Sequence, residues 1–135
     1  MTYVVNDAKL PWPAETLDMS AIVLRKGDVE VLLQREHSGE PVADRLERDL
    51  VRLRRSTPGF QTLAVEPYDH PFPDGKAVRL RFDTADGPRF EAHLRFRHGE
   101  TLFDLSVGAH EDLAEACAAA FDTITRTLRV REEQP

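Results

Sequence analysis

The sequence predicts an α+β fold, an antiparallel sheet of about six strands with two main helices packed on it. Three observations lead there. Two apolar, β-branched stretches, Met19 to Arg25 and Val29 to Glu36, flank the turn residues Lys26, Gly27 and Asp28, which is hairpin chemistry. The second half reads as a meander of strands separated by glycine-containing turns such as ADGP and RHGE. Two other segments repeat their apolar residues at the spacing of a helix.

In chain order, Tyr3 to Val5 reads as a short strand, and Pro11, Trp12 and Pro13 fix a loop, because proline removes a helix donor and crowds the preceding turn. The hairpin follows. Ser38, Gly39 and Glu40 break its pattern, and Pro41 suits a first helical turn, where a missing N–H is no loss. Beyond it, Val42, Leu46, Leu50 and Leu53 form one narrow apolar stripe. The arginines of LERDLVRLRRSTPGF are interleaved with Asp44, Glu47 and Asp49, so the opposite side reads as a solvated face with a modest positive excess. Thr57, Pro58 and Gly59 end the helix, since proline disfavours helical angles in the residue before it and glycine accepts left-handed ones.

The meander comprises Gln61 to Glu66, Ala77 to Thr84, Arg89 to Arg97 and Thr101 to Ala109. Val78, Leu80 and Phe82 alternate with charged residues, as do Phe90, Ala92, Leu94 and Phe96, and Phe103, Leu105 and Val107 point inward by the same rule. Each strand thus has one buried face and one that is wet or binding. A second helix runs from His110 or Glu111 to about Thr127, with Leu113, Cys117, Phe121, Ile124 and Leu128 as its apolar side. One domain over residues 1–130 is expected, with 131–135 as a disordered tail, because 135 residues at 41% hydrophobic content support one core.

A net charge of −6 and a pI near 5.3 remove the long-range attraction for phosphate backbones, so no nucleic-acid partner is expected. Nothing resembles a signal peptide or a span of ~20 apolar residues, so the expectation is a cytoplasmic chain without direct membrane insertion. The single cysteine, Cys117, fits a small buried side chain better than a reactive thiol. The five histidines are scattered, with no pair at ligand spacing, which predicts no metal, and no glycine-rich phosphate loop suggests a nucleotide cofactor. His93 with Glu91 or Asp104 could form an acid/base pair, but no serine or cysteine sits in a nucleophile turn, and charged residues alternating on a sheet more often form cross-strand ion pairs. No catalytic residue is expected.

The hairpin strands differ from the later ones in being apolar on both faces. Around Ile22, Leu24 and Leu32 the second face is either covered by a helix or the Trp12 loop, or is a dimer surface or hydrophobic client groove.

The succession LPWPAETLDMSAIVLR, VLLQRE, LERDLVRLRRSTPGF, EPYDHPFPDGKAVRLRFDT and FEAHLRFRHGETLFDLSVGAHE resembles the DcrB-like domain family over Leu10 to about Val130. The carrying features are Gln34-Arg35-Glu36 at a strand end, the helix closing in Pro58-Gly59-Phe60, and the aromatic hairpin. This resemblance implies a PsbP-like fold. Members without a lipoprotein signal resemble the Eag-type chaperones of type VI secretion. The implied function is a non-enzymatic, homodimeric adaptor that shields the hydrophobic N-terminal helices of a secreted effector until export. By strand alternation Ile22, Leu24, Leu32 and Gln34 would face the client, with His93 as a polar contact. The chain departs from the family in carrying Glu91 and His93 where the family's penultimate strand often has uncharged glutamines, with Arg79 and Arg81 on the neighbouring strand. Two rival readings are a ligand- or protein-binding module on the same face, and a small hydrolase or isomerase centred on His93.

Overall fold

The structure is a computed structural model describing residues 3–5, 8–10, 15–16, 21–26, 28–68, 72 and 74–130; before residue 28 and after residue 128 only the backbone is described. The Pro11–Pro13 loop, His70 and the 131–135 tail lie outside the described residues, as do the side chains of Ile22 and Leu24.

In chain order the elements are β1 (Tyr3–Val5), β2 (Ala8–Leu10), β3 (Glu15–Thr16), β4 (Ala21–Lys26), β5 (Val29–His37), α1 (Val42–Ser56), β6 (Gln61–Pro67), β7 (Lys76–Thr84), β8 (Gly87–His98), β9 (Thr101–His110), a 3₁₀ turn (Glu111–Leu113), α2 (Ala114–Thr127) and β10 (Arg129–Val130). Six long strands and the two-residue β3 form one antiparallel sheet in the order β3-β4-β5-β9-β8-β7-β6, while β1, β2 and β10 form a separate small sheet. The expected Tyr3–Val5 strand thus exists but belongs to the small sheet.

After β5, the chain runs through α1 to the far edge of the sheet and then meanders back, so that β9 pairs with β5 at the centre. The 15-residue helix begins after Pro41 and ends before Thr57, and Gly59 takes the left-handed φ of 65° that turns the chain into β6. His110 caps the second helical segment by accepting a hydrogen bond from the Asp112 N–H at Nδ1.

Strand register assigns each residue to a face. Val31, Val107 and Ala92 lie in one row, with Leu33, Leu105 and Leu94 in the next, and all six are buried with Cys117, Phe121, Ile124 and Leu128 of the α2 segment. Phe96 stacks between Phe72 and Phe103, with ring centroids 4.1 and 4.9 Å away. This is the main core. On β7 the same alternation points the other way: Val78 is in register with His93 and Leu80 with Glu91, so both lie on the opposite face, where they pack against Leu46, Leu50, Phe60 and Phe82. The two helices therefore cover opposite faces of the sheet. That corrects the reading of a single buried face, because a period of two fixes which residues share a side but not which helix will meet that side.

Asp49 requires a second correction. Expected on the solvated face of α1, it is 5% exposed. It lies seven residues after Val42 and three after Leu46, the two buried apolar residues of the helix, so helical geometry carries it into the interface with the sheet.

Candidate polar site on the α1 face

Between α1 and the sheet, the α1 face holds a connected array of charges. Its centre is His93 on β8, whose Nδ1 lies 3.0 Å from Asp104 on β9 and whose Nε2 lies 2.9 Å from Glu91. Burial opposes charge on the ring, yet the Asp104 and Glu91 carboxylates outweigh it and raise the His93 pKa to about 9. At neutral pH the ring is an imidazolium that donates from both nitrogens. Burial likewise favours the neutral acids at Glu91 and Asp104, but the His93 cation wins and holds both below the ordinary carboxylate range.

The array extends in both directions. On one side Arg89 Nε donates to Glu91 at 2.7 Å and its Nη2 reaches Glu30 on β5 at 3.6 Å. It does so across Gly108, which sits in register between Glu30 and Glu91; a Cβ there would stand 2.3 Å from Arg89 Nη2. A side chain at position 108 would push the guanidinium away. On the other side Arg95 lies 3.8 Å from Asp104 and donates to Asp49 of α1 at 2.5 Å. Asp49 also pairs with Arg45 at 3.3 Å and with Arg52 at 3.5 Å. Arg45 continues to Glu36 at 2.8 Å, whose pKa its hydrogen bond lowers, and Arg48 pairs with Glu40 at 2.9 Å. Six acids (Glu30, Glu36, Glu40, Asp49, Glu91, Asp104) stand against six cations (Arg45, Arg48, Arg52, Arg89, Arg95, His93), so the array is neutral when His93 is charged.

This arrangement is poor in chemical reactivity. A general base needs a free lone pair near neutrality, and both His93 nitrogens are committed to carboxylates. Ser106 is in register with His93, but the imidazole bonds to Glu91 and not to it. Cys117 is buried on the other face, donates to the Val107 carbonyl at 3.0 Å and has its pKa pushed up by burial to about 11, so it is not a ready nucleophile. Among the described residues no group of three or more His, Cys, Asp or Glu side chains could hold a metal ion. No helix among them is long and apolar enough to cross a membrane.

Beside the array is a cavity of about 260 Å³ lined by Gln34, Arg35 and Glu36 of β5, Val42, Arg45, Asp49 and Arg52 of α1, Arg95 of β8, and Leu102, Phe103 and Asp104 of β9. Four arginines face three carboxylates in that lining. Leu32, Ser106 and His93 form one row on the α1 face, and Gln34, Asp104 and Arg95 form the next. Of the five residues expected to face a client, Leu32, Gln34 and His93 thus share a face; Leu32 is half-buried, Gln34 exposed and His93 enclosed by its carboxylates. Ile22 and Leu24 are in register with Leu33 and Val31 instead, while Val23 is the residue opposite Leu32. Sequence reasoning did not find Asp49, Arg95, Arg45 or Gly108. The position of Asp49 seven residues after Val42 was a usable signal, whereas the Arg95 contact depends on how helix and sheet dock.

The chain matches no family model and no curated protein. Among solved structures, PA94 of Pseudomonas aeruginosa, a protein of unknown function, is similar with a TM-score of 0.74 and 15% identity, covering 98% of each chain. Cyanobacterial PsbP from Synechocystis sp. PCC 6803 has a TM-score of 0.70 and 12% identity, over 96% of this chain and 91% of its own. LpqN of Mycobacterium tuberculosis, involved in cell envelope biogenesis, has a TM-score of 0.63 and 16% identity, over 98% and 83%. At such identities the likeness is one of fold alone: the chain is an α+β protein with a PsbP-like fold.

Proposed function

We propose that this chain is a non-catalytic binding protein that holds a segment of a partner protein against the β5–β9 part of the α1 face. The observation that carries this reading is the row Leu32–Ser106–His93 with Gln34 alongside, which runs across β5, β9 and β8 on the face whose apolar contacts with α1 lie on β7. Leu32 supplies apolar contact, Gln34 and Ser106 supply hydrogen-bonding groups, and the charged residues behind them are fixed by mutual pairing. The engagement of both His93 nitrogens argues against an enzyme.

The narrower form of the proposal follows the resemblance to Eag-type chaperones: a cytoplasmic homodimeric adaptor that shields hydrophobic N-terminal helices of a type VI secretion effector. Leu32, Gln34 and His93 on one face fit that role; the charged array favours a client segment that is partly polar. The test is to tag the protein in its host and identify what co-purifies with it and with Leu32→Asp. A single large protein with hydrophobic N-terminal helices, captured by the parent and lost with a folded Leu32→Asp, supports the chaperone. Partners without such helices, lost with the same substitution, support only the general binding module. Recovery of the protein alone overturns both.

A further inference from the structure

At the end of the sheet away from β3, the outer strand β6 has no neighbour on its far side among the described residues. The large hydrophobic side chains exposed among those residues are Leu63 and Val65 of β6, at 50% and 49%, and Val51 of α1, at 37%. The ladder with β7 shows which backbone groups of this edge are open. Tyr68 N–H donates to the Gly75 carbonyl, so by the alternation of an antiparallel pair Glu66 and Ala64 also bond to β7, while Val65 and Pro67 turn their backbone groups outward. Pro67, with no N–H, sits where an edge tolerates it. Val65 is in register with Val78, so its side chain lies on the α1 face, where it walls a groove of about 290 Å³ with Leu46, Leu50 and Val51. Glu47, Arg54 and Lys76 also line the groove, and none of these three side chains makes an ion pair or hydrogen bond among the described residues.

We propose that the β6 edge takes an extended segment of a partner protein as an added strand, with an apolar side chain beside Val65 and acidic side chains two positions away. The outward Val65 N–H and C=O and the Pro67 C=O supply main-chain hydrogen bonds, and the groove selects the side chains at alternate positions. A residue opposite Val65 shares its face and covers the mouth of the groove. The residue two further along stands opposite Pro67, which is in register with Lys76. With Arg54 and Lys76 against the single acid Glu47, an acidic residue there is favoured over a basic one. A second copy of β6 paired about Val65 would set Pro67, which lacks an N–H, opposite the bulge at Leu63, so a strand without these interruptions fits the edge better. The edge lies two strands beyond His93 and does not involve the Leu32 row, so it stands apart from the function proposed above.

The experiment uses the full chain labelled with ¹⁵N and a capped heptapeptide with threonine at its odd positions and glutamate, valine and glutamate at its even ones. Two control peptides carry lysine for glutamate, or N-methyl groups on the three central residues. The expected result is a saturable shift of the Val51 and Val65 amides and slower hydrogen exchange at Val65. Binding should be about tenfold weaker with the lysine peptide and absent with the N-methylated one. Val65→Lys, a change that sheet edges tolerate, should abolish binding and keep the fold. A folded Leu32→Asp should leave binding intact. No saturation with the glutamate peptide, or equal binding of the N-methylated one, overturns strand addition, and equal binding of the lysine peptide overturns the acidic partner. Loss of binding in Leu32→Asp moves the peptide to the other site and overturns this one. A Val65 amide already protected from exchange in a chain that sediments as a dimer gives the edge to a second copy, and that too overturns the proposal.

Discussion

Asp49 on α1 and Arg95 on β8, 46 residues apart in the chain, meet at 2.5 Å beneath the helix, and each also belongs to a further pair. Their side chains are 7% and 18% exposed, so the contact operates where water screens poorly. Asp49→Ala leaves the Arg95 charge buried beside an empty place and is expected to destabilise the fold by about 3 kcal/mol. Replacing both, as Asp49→Ala with Arg95→Met, should cost less than the sum of the single changes, and a double-mutant cycle in urea measures that coupling. Strict additivity would show that the pair contributes nothing specific.

His93 makes stability depend on pH in the alkaline range. Its pKa is raised from 6.5 to about 9, so its pairing stabilises the folded chain fully below pH 6.5 and fades as pH climbs through 9. The effect is at most about 3 kcal/mol, shared with Glu91 and Asp104. Unfolding free energies of the parent and His93→Gln at pH 6, 8 and 10 should converge upward in pH. A constant gap would mean the ring is not charged in the fold.

How far the sequence disclosed this site can be judged from these same residues. Alternation placed His93, Glu91 and Asp104 on one face, and helical spacing gave α1 its stripe, because both patterns are local. The Asp49–Arg95 contact was not legible, since it depends on α1 crossing to the β7–β8 side, and that follows from sheet order. The inversion of β7 was hidden for the same reason: Val78 and Leu80 look like Leu94 and Phe96 in sequence, and only register separates them. Leu10 to Val130 nevertheless resembled a fold that the superpositions bear out.

Leu32 and Leu33 are neighbours on opposite faces, the first half-buried and the second 4% exposed. Leu33→Ala should lose about 2–5 kcal/mol by leaving a cavity in the main core. Leu32→Ala should lose markedly less. Thermal unfolding of the two variants gives the comparison, and equal losses would place Leu32 in the core and remove it from the binding face.

Gly108→Ala tests the reach of Arg89. The added methyl meets the end of a flexible side chain, so the guanidinium should swing aside and give up Glu30, for a loss of about 1 kcal/mol. The same substitution combined with Arg89→Met should show little further change. A loss well beyond ~1 kcal/mol in the single variant would indicate backbone displacement in β9 instead.

Cys117 offers a reporter of global opening. Its thiol is buried and its pKa lifted to about 11, so alkylation of the native chain at pH 8 should proceed only as fast as the protein unfolds. Rapid labelling under native conditions would show local opening of α2.

The return of β9 to the side of β5 also sets the order in which this chain can be completed. Val31 pairs with Val107, so as the protein leaves the ribosome the inner edge of the β4–β5 hairpin is made early and must wait until α1, β6, β7 and β8 have been made. Until then a strand carrying Val29, Val31 and Leu33 presents open backbone groups, the kind of edge on which nascent chains associate. Pairing across so long an interval also places folding on a timescale of roughly milliseconds to seconds. The last strand of the large sheet to arrive is the one that closes its centre, and a truncated chain ending before Thr101 would hold two half-sheets with no strand to join them.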